Sequence, residues 1–231
     1  MSFAVLPALI PDITPVYDVY FAAFKDEKIF EYIYPDGVNR NEHRQWMTDQ
    51  WGIDPNEYTL KCVEPATGQI VGMATFEVYW NANVDTETSV GMKWKRPDGD
   101  FSRLNGFEKQ RLEIVMGALW NMRENIIGNR RHVYCLTMAV QPGYQRKGVG
   151  TLLLNWGIDL ADRLDVPIYL ESTITARHFY KRFGFDIPEF VIHKAEVIGD
   201  DRDDIVPIMV RMPKNHEGLS VGEWQAMVDA L

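Results

Sequence analysis

LTMAVQPGYQRKGVGTLLLNWGIDLA, residues 136–161, is the stretch on which the reading of this chain turns. It begins inside an apolar run, residues 133–140, that reads as a buried strand. It ends inside an amphipathic stretch, residues 149–164, that reads as a helix. Between them lies Gln145-Arg146-Lys147-Gly148-Val149-Gly150, a basic, glycine-bearing turn. The first amides of a helix have no partner within it, so they suit phosphate oxygens. Glycine lets a ligand approach the main chain, and Arg146 and Lys147 add positive charge. The turn points to a held pyrophosphate. Standing alone, it also reads as an ordinary strand-to-helix turn with solvated basic side chains.

The sequence downstream separates these readings. Residues 168–172, IYLES, read as a second short strand, followed by ARHFYKRFGF with Tyr180 four residues before Gly184-Phe185. Together, residues 136–161 and 168–187 resemble the GNAT superfamily of acyl-CoA-dependent N-acyltransferases. That family carries Q/R-x-x-G-x-G/A after a strand and later a Tyr ahead of Gly-Phe. Both occur here in order, Tyr180 lying 35 residues after Gln145. The resemblance implies an α/β fold: a mixed, mostly antiparallel sheet of about seven strands with a central splay, flanked by helices. It implies acetyl-CoA as cofactor. Gln145, Arg146, Lys147, Gly148, Val149, Gly150 and Thr151 would wrap the pyrophosphate. The main chain of Met138, Ala139 and Val140 would pair with the pantetheine amides, although the same three residues also read as plain core strand. Tyr180 falls on the position of the general acid, which gives a hydrogen bond or proton to the departing thiolate. Family members often carry Asn near the start of the second motif. Ser172, Thr173 and Thr175 stand there instead, so Ser172 and Thr173 become the candidates for the β-alanine end of the cofactor. Arg177 is a candidate for its adenosine phosphates.

An attacking amine must be neutral, so a carboxylate or a water chain has to take its proton. Glu171 ends the second motif strand, and Glu77 lies on a strand expected beside the acceptor. Asp85 and Glu87 fall in a long polar loop. Each also reads as a solvated surface carboxylate. His178, two residues before Tyr180, should face away from it on a helix. Cys135 has no evident histidine partner and reads as core.

Elsewhere the chain is compatible with the same fold. Residues 3–9 read as a first strand rather than a secretory signal, because no basic segment precedes them. Three helical pieces follow, at residues 12–24, 27–34 and 41–51, with Asp12 or Thr14 as the first cap. Residues 58–64 and 70–80 alternate around Pro65-Ala66-Thr67-Gly68, a hairpin signature. Residues 104–126 carry a helical period through Phe107, Ile114, Val115, Ala118, Leu119 and Met122, with Gly128 closing the helix. Residues 189–198 and 204–212 read as a closing antiparallel pair, and residues 222–231 as a short terminal helix. The whole, residues 1–231, is expected to form one acetyltransferase domain with its motif core at about 133–187. Helices 12–52 and loop 81–102 are expected on the acceptor side.

The 231 residues carry a net charge of −9, with 46% hydrophobic and 25% charged side chains. Nucleic-acid binding calls for a basic face, which argues against it here. No apolar run approaches the ~20 residues of a membrane span. Two lone cysteines and five histidines offer no metal-ligand spacing, and buried reduced thiols fit a cytoplasmic location. The sequence favours transfer of an acetyl group to a primary amine of a small molecule by direct attack, in a monomer or homodimer. A protein or peptide N-acetyltransferase and a non-catalytic acyl-CoA-binding module of the same fold are the alternatives. A dinucleotide-binding fingerprint ranks last, because position 153 is Leu where a third Gly is needed.

Overall fold

The structure is a computed structural model and describes residues 2–81, 94–99 and 101–230. Its elements in chain order are β1 (Ala4–Pro7), α1 (Ile13–Phe24), α2 (Lys28–Ile33), α3 (Arg40–Gln50), β2 (Glu57–Glu64), β3 (Gln69–Tyr79), α4 (Gly106–Ile126), β4 (His132–Val140), α5 (Val149–Leu164), β5 (Ile168–Glu171), α6 (Arg177–Lys181), β6 (Asp186–His193), α7 (Ala195–Ile198), β7 (Asp204–Arg211) and α8 (Val221–Asp229). The strands form one seven-stranded sheet in the order β1-β2-β3-β4-β5-β7-β6. The pairs β1–β2, β2–β3, β5–β7 and β6–β7 are antiparallel. This is the mostly antiparallel α/β sheet the sequence predicts. Two compact units divide the chain: residues 1–78 with 134–160, and residues 79–133 with 161–231.

In the first unit, α1 buries Ile13, Val16, Val19 and Phe21. Val16 and Val19 join Ala8, Met73 and Ala139 in one core cluster, bordered by Tyr17, Tyr20, Phe24 and Trp51. Asp12 precedes α1 without capping it. Its carboxylate accepts instead from the Leu9 amide (2.9 Å) and the Lys61 ammonium (2.6 Å). Asn39 caps α3 through the amides of Asn41 and Glu42. The helix α5 lies close on β3 because two glycines leave room. A Cβ on Gly72 would meet Val149 Cγ1 at 2.5 Å, and one on Gly157 would run into the Phe76 ring. That seating fixes the start of α5, where Val149 is buried.

In the second unit, β7 lies between β5 and β6, with Glu171 opposite Ile208 and Ile192 opposite Ile205. The predicted closing strand is corrected: it ends at His193, and residues 195–198 form a short helix. Asp203 accepts from the Ala195 amide (2.9 Å) and pairs with Lys194 (2.8 Å), while Gly199 turns left-handed. The buried face of α4 is also rotated from the predicted one. Arg111, Leu112, Val115, Leu119, Arg123 and Ile126 point inward, whereas Phe107 and Ile114 are exposed. The true stripe includes two arginines, which a search for apolar periodicity passes over. Asp162 holds Arg211 at 2.8 Å, both largely buried, and α8 docks through Arg130 to Asp229. Among the described residues no helix is long and apolar enough to cross a membrane, and no group of three metal-ligating side chains gathers. Cys62 and Cys135 are buried and outside any disulfide.

Candidate functional site

The turn between β4 and α5 has the shape an anion needs. After a short 3-10 turn, Pro142–Tyr144, the chain extends at Gln145 and turns left-handed at Arg146 (φ 59°) and Gly148 (φ 90°). The first helical bond runs from Leu152 N to Gly148 O at 3.1 Å. The amides of Arg146, Lys147, Gly148, Val149, Gly150 and Thr151 take no acceptor among the described residues. Alternating backbone hands and unused helix-start amides make a concave donor surface, and α5 adds its positive dipole end. Gly148 faces open space, with nothing within 4 Å of a Cβ placed there. Arg146 and Lys147 are exposed, and the Lys147 ammonium lies 4.9 Å over the Tyr144 ring. Tyr144 is pinned in turn by Glu64 and Gln69, each 3.2 Å from its hydroxyl. These residues fit a diphosphate. Upstream, Met138, Ala139 and Val140 close β4, with Ala139 in the α1 core and the other two half-buried.

The same unit carries an aromatic wall. Tyr17, Tyr20, Phe21 and Phe24 of α1, Phe30 of α2 and Tyr34 just after it contact one another, with ring centroids 4.8–6.3 Å apart. His43 joins from α3, 4.7 Å from Tyr17 and 4.8 Å from Phe21. A cavity of about 270 Å³ opens beside Tyr17, Phe21, Asp18, Arg40, His43 and Arg44. The strand register places Glu77 directly opposite Glu57, with Thr59 opposite Thr75 one step further along the same face. Thr59 and Thr75 share a hydrogen bond of 3.1 Å, and Thr59 reaches the Glu57 carboxylate at 3.4 Å. Glu57 reaches solvent at its edge, yet the protein crowds it. This desolvation, with the charges of Glu77 and Asp54, lifts its pKa above the usual carboxylate value, against the Thr59 hydrogen bond. Burial and the Glu57 charge likewise push the Tyr17 phenol up. The sequence reading missed Glu57. Only the hairpin register could have found it, and that register shifts at a bulge between Cys62 and Val63.

In the second unit, Tyr180 is buried in the five-residue α6 and packs edge-on to Phe179 (5.2 Å) and Phe185 (5.6 Å). Glu171 is half-buried at the end of β5. The hydroxyls of Ser172 and Thr173 build the turn into α6: Ser172 donates to the Thr173 carbonyl (2.9 Å), and Thr173 accepts from the Ala176 amide (3.1 Å). Arg177 is half-buried, whereas His178 and Lys181 are exposed. Asp85, Glu87 and most of loop 81–102 lie outside the described residues.

A family model described as the acetyltransferase (GNAT) family matches residues 21–185, and the chain belongs to that family. It is 32% identical over 143 residues to the protein named "Probable acyltransferase SID5" of Ajellomyces capsulatus, covering 61% of this chain and 93% of that one. Solved structures share the fold, among them the following two. The structure of histone acetyltransferase HPA2 and related acetyltransferase from Corynebacterium glutamicum has a TM-score of 0.57 and 23% identity, covering 92% of this chain and 97% of its own. Mosquito arylalkylamine N-acetyltransferase like 5b has a TM-score of 0.62 and 13% identity, covering 91% and 100%.

Proposed function

We propose that this chain moves an acetyl group from acetyl-CoA to a primary amine of a small molecule by direct attack, and that residues 1–231 work as one acetyltransferase domain. The observation that carries the reading is the set of amides of residues 146–151, unclaimed by any described protein acceptor at the mouth of α5. In a family that generally uses acetyl-CoA, that surface would hold the diphosphate. Gln145, Arg146, Lys147 and Thr151 would border it, and Met138, Ala139 and Val140 would offer main-chain groups. Ser172 and Thr173 would act through their turn, and Arg177 by its charge.

When bound, the cofactor supplies an activated acetyl thioester. Tyr180 is the proposed donor to the departing sulfur; its buried ring holds the phenol in one place. Glu171 is the proposed proton acceptor. Glu77 is the second candidate, favoured by one observation: the strand register sets it directly opposite Glu57, whose carboxyl pKa is raised above the ordinary value by burial and the Glu77 charge. The aromatic wall on α1–α3 fits an acceptor with an apolar part.

The test is thiol release from acetyl-CoA against polyamines, arylalkylamines, amino acids, aminoglycosides and histone peptides. Turnover with a small amine supports the reading. Turnover with histone peptides alone moves the acceptor to protein, and calorimetry without acetyl-CoA binding removes the cofactor assignment altogether.

A further inference from the structure

The hairpin of β2 and β3 meets the β4–α5 turn at two places, one on each side of its free amides. The downstream contact is apolar. Gly72 of β3 leaves the seat in which Val149 is buried, since a Cβ there would meet Val149 Cγ1 at 2.5 Å. The upstream contact is polar and belongs to Tyr144. Glu64 closes β2, Gln69 opens β3, and the two stand opposite each other in the register. The Tyr144 hydroxyl donates to Glu64 Oε2 and Gln69 Oε1, each 3.2 Å away. The hairpin turn aims these acceptors. Thr67 Oγ1 donates to the same Glu64 oxygen at 2.9 Å and accepts from the Gln69 amide at 3.2 Å. Gly68 turns left-handed (φ 72°), and its amide donates to the Glu64 carbonyl at 2.8 Å. A contact spanning 75–80 residues thus ties the tip of one hairpin to the turn.

Between these two anchors the chain follows an unfavourable path. Arg146 is left-handed at φ 59°, and a non-glycine residue stays there only where its surroundings fix it. The amides of residues 146–148 take no acceptor among the described residues, so the turn has no ladder of its own. Its shape depends on its ends. The Tyr144 ring has a further contact on each side. Phe3 meets it edge-on with centroids 6.2 Å apart, and the Lys147 ammonium lies 4.9 Å over it. A cation on a flexible stem is thereby held beside the turn.

We propose that Tyr144 is a positioning residue for acetyl-CoA. Tethered to the hairpin tip, it fixes the left-handed turn and carries Lys147, so that the donor amides and the ammonium are in place before the diphosphate arrives. This rests on the reading of the turn as the diphosphate site. A turn that holds its binding shape for only part of the time loses affinity by that fraction. A lysine that must first be ordered binds at an entropic cost.

The test is calorimetric titration of coenzyme A into the full-length protein. Tyr144→Phe keeps the ring and cuts the tether, and Kd should rise about fivefold, within the range of one hydrogen bond. With Glu64 and Gln69 both replaced by alanine, the same Tyr144→Phe change should alter Kd by less than about twofold, because no tether is left to cut. Tyr144→Leu removes the ring as well and should raise Kd about twentyfold. Lys147→Met should weaken binding about fivefold in the wild-type background and less than about twofold in Tyr144→Leu, where the charge has already lost its support. A tyrosine that merely stabilised the fold would leave the Lys147 factor equal in both. If Tyr144→Leu does not fold, the Tyr144→Phe comparison decides alone. Wild-type binding with unchanged affinity in Tyr144→Phe, or with equal Lys147 factors, overturns the proposal and leaves the diphosphate site standing. Absence of binding by the wild type itself overturns both.

Discussion

At the scale of single residues, Gly148 and Tyr180 make opposite demands on the chain, and each yields a test. Gly148 sits at φ 90°, where a side chain is strained even though space around it is open. Gly148→Val should cost about 1–2 kcal/mol of local strain and pull the neighbouring amides off their common focus. We expect acetyl-CoA affinity measured by calorimetry to fall about tenfold or more, with the fold retained. Unchanged affinity would separate the turn from the cofactor. Tyr180→Phe keeps the buried ring packed against Phe179 and Phe185 and removes only the hydroxyl. Turnover should drop about a hundredfold, the low end of general acid catalysis, with acetyl-CoA affinity intact. Equal turnover would remove Tyr180 from the chemistry. Gly148 was readable from sequence as a candidate because a strand, a basic glycine turn and a helix start occupy contiguous residues, whereas Tyr180 was singled out by the family resemblance. Glu57 and Arg123 were not readable. The first needs a hairpin register, and the second needs a helix face to be rotated so that an arginine points inward.

At the scale of elements, the pose of α5 on β3 decides whether the turn at its start can work. Gly157 is packed so closely on Phe76 that a methyl group there has no room. Gly157→Ala improves intrinsic helix propensity by about 1 kcal/mol but forces the helix off the sheet. Overpacking of this kind costs about 1–3 kcal/mol, so the clash should win or nearly cancel. We expect a lower melting temperature, by up to about 8 °C, together with weaker acetyl-CoA binding, because the helix start moves with the helix. A rise in melting temperature with full binding would show that α5 can shift freely. Helix α5 was legible to the residue, since its apolar stripe is uninterrupted by charge. The last hairpin was not. The apolar residues Val191, Ile192, Val197 and Ile198 read as one strand, yet Asp203 draws the chain into a turn through the Ala195 amide and Lys194. A side-chain bond of that kind, closing a loop of eight or nine residues, leaves no periodic trace in sequence.

At the scale of the whole molecule, the buried histidine makes stability depend on pH in a direction that can be worked out. His132 has a folded pKa near 3 against an ordinary value of 6.5. Between those two values the unfolded chain binds a proton that the folded chain refuses, so stability rises with pH. The contribution is fully present above about pH 6.5 and is lost on acidification toward pH 3. Its slope approaches one proton, about 1.4 kcal/mol per pH unit. His193, also depressed by burial, acts in the same sense. Glu57 acts oppositely: its raised folded pKa gives stability at low pH that disappears as pH rises through that pKa. Asp162 enters lower down. Burial alone would raise its pKa, but Arg211 and Lys214 bring it below the ordinary carboxylate value, so its share is lost only under stronger acid. The total curve mixes these groups, so the useful quantity is a difference. Urea unfolding of wild type and His132→Gln, compared at pH 4.5, 5.5 and 6.5, subtracts every group except His132. The wild-type advantage should grow by about 1.3 kcal/mol from pH 4.5 to 5.5 and by about 1 kcal/mol from 5.5 to 6.5, where the unfolded ring is itself losing its proton. A flat difference would mean that the ring gains its proton without unfolding, and that Arg123, whose Nη2 lies 2.9 Å from His132 Nε2, is not held against a neutral acceptor.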